Sequence, residues 1–279
     1  MTKLLKYELK ESSKYFLYII LGIIIASLSL AFTIIRATKI NESNMSEFTA
    51  ISMGLSSLLA FGLFIAVFVG FIFMIISSYR KDLYTDSAYL KFSLPINGSQ
   101  LLNAKLLNVL IWSVLMTVVT IVINLLIYGI FLNQYMDEFI TSFKNAWDFF
   151  NIGIGSNIFL ILNYIYSFFA SLITVYFCIT FTKSFFKNSR NGYIWVLIYI
   201  IWGIIKSFIS MVTSIALPYY LSLGKNLSII KLDYGSYADS LLESTEFINL
   251  NLGFFIIEII ITVLIYFFTI HMLNKKVDI

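Results

Sequence analysis

By residue type, four side chains of this 279-residue chain invite a chemical reading: Lys206, Glu258, His271 and Cys178. All four lie in or at the edge of long apolar runs. His271 is the only histidine, and it has no Cys, acid or second His at ligand spacing, so the sequence builds no metal site. For the same reason no Ser/His/Asp or Cys/His nucleophilic set can be assembled. Cys178 is the only cysteine, so no intrachain disulfide forms, and a thiol in an apolar run behaves as an inert small hydrophobe. Lys206 falls near the middle of its run. A central lysine costs roughly 2.5–3.5 kcal/mol in a bilayer, so it should face protein or water. Glu258 lies about two turns inside its own run. The two charges either pair between neighbouring helices or snorkel separately to the outer interface. Asn124, Asn163 and Asn251 suit hydrogen bonds between helices. No Gly-x-x-x-x-Gly-Lys-Ser/Thr run occurs; Gly224-Lys225 and Gly153-Ile154-Gly155 lack its context. No catalytic residue, cofactor or metal is expected, and the chain is not read as an enzyme.

The elements that position these residues are membrane spans. The chain is 59% hydrophobic and only 12% charged, far from the soluble balance. Crossing a hydrocarbon core takes about 20 apolar residues in a helix. Runs at about 15–35, 48–78, 106–132, 152–182, 193–217 and 252–273 meet that length, which predicts an all-α integral membrane protein with six transmembrane helices in one domain, 1–279. A β-barrel would show period-2 alternation, which is absent. The first run is too long for a signal-peptide core and should stay as an anchor. Thirteen of the 19 Lys and Arg fall at the termini and in two alternate loops, against five in the other loops. The positive-inside rule therefore places both termini in the cytoplasm. The net charge of +4 is a topology signal, and nothing resembles a nucleic-acid-binding face.

Residues 79–105 form the long charged loop on the positive side. Thr85 or Asp86 can cap a short helix over 87–92, which Pro95 stops at Leu94; Asn97-Gly98 turns the chain and Ser99 caps the next helix. Residues 1–14 place Met1, Leu4, Leu5 and Leu9 on one side and four lysines on the other, the pattern of a helix lying in the inner interface; an ordinary basic flank would also fix orientation. Glu8 falls on the apolar side and disturbs the pattern. On the opposite side, 133–151 is rich in aromatic residues suited to headgroup level, and 218–251, the longest outer segment, is expected to hold short helices at the membrane surface.

The run Asp-Leu-Tyr-Thr-Asp-Ser-Ala-Tyr-Leu-Lys-Phe-Ser-Leu-Pro-Ile at 82–96, followed by Gln-Leu-Leu-Asn-Ala-Lys-Leu-Leu at 100–107, resembles the ABC-2 type permease family across essentially the whole chain. Such proteins are membrane subunits of ABC transporters, mostly exporters, energised by a separate ATPase. The resemblance implies an ABC-2 exporter transmembrane domain whose residues 82–92 are a coupling helix seated in the ATPase subunit. Within it Asp82, Leu83, Tyr84, Thr85, Asp86, Tyr89 and Leu90 are the expected contacts, and 183–191 a smaller one. It also implies an N-terminal interfacial helix, a second permease subunit (homodimer or heterodimer), ATP bound by the partner, and a bacterial cell membrane. Rival readings are a gradient-driven secondary transporter, which would favour several buried ionisable groups and an inverted repeat, a membrane enzyme, which would need clustered acids or histidines, and a scaffold or sensor subunit.

Overall fold

A computed structural model describes residues 2–39, 47–85, 97–131, 140–141, 144, 153–186, 193–224, 226–231 and 248–275. Six long helices dominate: α1 (Thr2–Lys39), α2 (Glu47–Tyr84), α3 (Gly98–Phe131), α4 (Ile154–Phe185), α5 (Ile194–Ala216) and α6 (Leu252–Lys275). Between α5 and α6 lie β1 (Tyr219–Leu223), β2 (Leu227–Lys231) and β3 (Ile248–Asn251). All six helices are long and apolar enough to cross a membrane. At 38 residues each, α1 and α2 are about 57 Å long. That is nearly twice a hydrocarbon core of about 30 Å, so both carry polar turns beyond it.

Residues 1–14 are expected as an interfacial helix set apart from the first span; of these, 2–14 run into that span without a break as α1. Lys, Leu and Glu are good helix formers, and no Gly or Pro intervenes before Gly22. The polar pair Ser12-Ser13 does not interrupt the helix because each hydroxyl donates back to it, Ser12 to the Glu8 carbonyl at 2.5 Å and Ser13 to that of Lys10 at 2.8 Å. Asp82, Leu83 and Tyr84, expected to open a separate short helix, are the last turn of α2. The expected helix over 87–92, with Asp86, Tyr89 and Leu90, lies outside the described residues, as does most of the aromatic segment 133–151.

The segment 218–251 corrects an expectation. Its described part is an antiparallel sheet in the order β2-β1-β3, not short helices. Pro218 ends α5, since the residue before proline is pushed out of helical geometry; Leu217 has φ −129° and ψ 75°. The sequence that follows, Tyr-Tyr-Leu-Ser-Leu and then Leu-Ser-Ile-Ile-Lys, is rich in aromatic and β-branched residues that fit a pleated surface. Tyr220 stands opposite both Ile230 and Asn251, and Leu221 opposite Ile229 and Leu250.

The chain divides into two compact units, residues 1–82 with 99–144 and residues 83–98 with 145–279. The core of the first joins α1, α2 and α3: Phe16 stacks on Trp112 with centroids 3.7 Å apart and meets Phe71 edge-on, with Ile23 and Met116 beside them. In the second, α4, α5 and α6 pack together under the sheet, and α5 buries only Thr213 among its described residues.

Candidate functional site

In the first unit the start of α1, the end of α2 and the start of α3 enclose a charged network. The Lys105 ammonium on α3 is in ion contact with Glu8 on α1 and lies 2.7 Å from Asp82 on α2. It also reaches the Ser78 hydroxyl at 3.0 Å. Glu8, Asp82 and Lys105 are each 2% exposed or less, which is rare for ionisable residues without partners. One ammonium therefore faces two carboxylates and a hydroxyl. A second layer lies one turn further along α1. The Ser12 hydroxyl accepts from the Asn108 amide and from the Trp112 indole, both at 3.2 Å, while donating to the Glu8 carbonyl. Nearer the surface, Lys81 pairs with Glu11 at 2.5 Å.

Glu8, Glu11 and Asp82 bring carboxylate oxygens within 4.8 Å of one another, a donor set that a hard cation could use. Here the chain's own lysines, Lys105 and Lys81, supply the positive charge. Pattern reading had assigned both lysines to topology alone. The one signal that pointed to the network was Glu8, placed on the apolar side of α1 where an acid has no reason to be unless something answers it.

The charged loop leaves and rejoins this network. Asp82 and Leu83 are buried, Tyr84 is half-buried and Thr85 is exposed. The described residues 83–85 and 97–98 belong to the second unit, and from Ser99 the chain returns to the first. Within the second unit, the Tyr84 hydroxyl lies 3.4 Å from the Ile179 carbonyl on α4, and the Lys183 ammonium is 5.1 Å from the Tyr84 ring centroid. At the far end of the loop, the Gly98 N–H donates to Asn274 Oδ1 on α6 at 2.7 Å. Glycine is required there, because a Cβ would lie 2.7 Å from Leu273 Cβ.

The second unit also holds the membrane-depth polar groups. Lys206 on α5 is in ion contact with Glu258 on α6 and 5.9 Å from the Phe254 ring. Thr262, one turn on, donates to the Glu258 carbonyl at 2.8 Å and is 3.1 Å from the Tyr166 hydroxyl on α4. Lys206, Phe254, Glu258 and Thr262 border a cavity of about 140 Å³ with Trp202 and Tyr199. Of the amides expected to join helices, Asn124 departs from that use. Asn124 donates to Thr120 in its own helix, whereas Asn251 caps α6 by accepting from the Phe254 N–H at 2.7 Å and donates to the Leu217 carbonyl. Cys178 is fully buried, and His271 is exposed near the end of α6.

Six helices of this length and apolarity make the chain a multi-pass, predominantly α-helical membrane protein. No family model, curated protein or solved structure matches it.

Proposed function

We propose that this chain is the permease subunit of an ATP-driven ABC-2 type transporter, an exporter of an amphiphilic compound or peptide. ATP is bound and hydrolysed by a separate ATPase subunit docked at the segment 82–92. The observation that carries this reading is the path of the chain around that segment. It leaves the first unit after Asp82, its described residues 83–85 and 97–98 belong to the second, and it re-enters the first at Ser99. A push on a segment with that path acts on both units. The resemblance of 82–107 to ABC-2 permeases and the lack of a phosphate-binding loop support the same reading. So does α5, which leaves nearly its whole length to lipid or to a second permease subunit.

The test is co-purification of an ATPase subunit with the tagged chain from its native membrane. Asp82 and Leu83 are buried, so their substitution would disturb packing. Thr85→Arg and Asp86→Arg are the informative variants: they should lose the ATPase while inserting normally. An intact complex in both variants refutes the docking assignment, and a wild-type chain with no ATPase partner refutes the reading itself.

A further inference from the structure

A groove of about 310 Å³ runs between α1 and α2 in the first unit. Its lining changes character along its length. The mouth is the Lys81–Glu11 pair, whose side chains are 48% and 39% exposed. Tyr15 and Ser77 follow, then a largely apolar shaft of Met74, Phe73, Ile19 and Tyr18, ending at Gly70. The two helices run antiparallel here, so each builds the same gradient, α1 from Glu11 to Ile19 and α2 from Lys81 to Gly70. Residues 70 to 81 span about 16 Å of helix, close to half a hydrocarbon core of about 30 Å. A charged mouth above an apolar shaft one leaflet deep matches a phospholipid. The shaft is open at its end, where a Cβ on Gly70 would meet nothing within 4 Å.

We propose that this groove is a binding site for a phospholipid whose headgroup carries both a phosphate and a primary ammonium. The mouth offers one fixed cation and one fixed anion. Lys81 would donate to phosphate oxygens, and Glu11 would accept from the ammonium. An exposed ion pair contributes only about 0–1 kcal/mol, so exchanging each partner for the complementary headgroup group costs little. Ser12 and Ser78 also line the groove, but their hydroxyls serve the buried network, Ser12 donating to the Glu8 carbonyl and Ser78 accepting from Lys105. The charged part of headgroup recognition therefore falls to Lys81 and Glu11, with the Tyr15 and Ser77 hydroxyls beside them. A choline headgroup has no N–H to give Glu11, and a glycerol headgroup brings a phosphate without an ammonium. This inference does not depend on the transport reading.

The experiment is native mass spectrometry of the purified, delipidated full chain, titrated with dioleoyl phosphatidylethanolamine, phosphatidylcholine and phosphatidylglycerol. The ethanolamine lipid should be retained about tenfold better than the choline lipid, the worth of one hydrogen bond to a charged group. Glu11→Gln should erase that preference while leaving the glycerol lipid bound as well or better. Lys81→Gln should weaken all three. Gly70→Leu, which extends a side chain into open space, should lower retention of all three by blocking the shaft; circular dichroism verifies its fold. Equal retention of the ethanolamine and choline lipids by the wild type, an unchanged preference in Glu11→Gln, or full retention in folded Gly70→Leu would each overturn the proposal.

Discussion

Lys105 holds Glu8 and Asp82 apart in a site where none of the three reaches solvent. Removing the lysine alone leaves two carboxylates buried with no counter-charge from α3, and breaking a buried pair from one side costs about 3–5 kcal/mol. Lys105→Met should therefore lower the Tm of the detergent-purified chain sharply. Neutralising all three positions, with Glu8→Gln and Asp82→Asn added, should recover much of the loss, because a wholly neutral site has no stranded charge. A wild-type Tm for Lys105→Met alone would show that the ammonium is not buried there. The pair in the second unit behaves differently, since Lys206 is 46% exposed and Glu258 16%. Glu258→Gln strands a lysine at membrane depth, a disadvantage of about 2.5–3.5 kcal/mol. The double variant Lys206→Gln with Glu258→Gln should be better tolerated than Glu258→Gln, measured by membrane-inserted yield and thermal stability. A double variant worse than that single one would argue against the pairing.

At the scale of elements, the loop's far end is set by a glycine and an amide. Gly98→Val would drive a side chain into Leu273 and Asn274, an overpacking cost of about 1–3 kcal/mol. Asn274→Ala would remove the acceptor for the Gly98 N–H. Both should accelerate amide hydrogen exchange at Gly98 while leaving the middle of α3 protected; unchanged exchange would mean that α6 does not hold Gly98. These contacts also explain what pattern reading reaches and what it misses. The six spans were legible because each needs about 20 consecutive apolar residues, a local signal, and Pro218 marked the end of α5. The small sheet was not legible: Tyr219–Leu223 is a short apolar run that periodicity alone does not assign, and one of its two partner strands, β3, begins only at Ile248. The Glu8–Lys105–Asp82 network was not legible either, because its partners lie on three helices and only Glu8 broke a local pattern.

At the scale of the whole molecule, orientation decides which of these features can meet which partner. Thirteen Lys and Arg fall in one set of terminal and loop segments and five in the other, and each basic residue near an anionic leaflet contributes about 1 kcal/mol. That asymmetry predicts that the turn between β1 and β2 faces outward and that the start of α1 faces the cytoplasm. The chain is well suited to a direct test, because its one cysteine, Cys178, is buried in α4 and can be replaced by serine. In that background, Asn226→Cys, at an exposed position of the turn, should react with a membrane-impermeant maleimide on intact cells. Lys6→Cys, at an exposed position on α1, should react only after permeabilisation. The same orientation puts the segment 82–92 on the side where ATP is made and a cytosolic ATPase can reach it. The opposite labelling pattern would leave the Glu8–Lys105–Asp82 network and the lipid groove intact as structure, but it would move the proposed docking segment outside the cell and end the reading of this chain as an ATPase-driven permease.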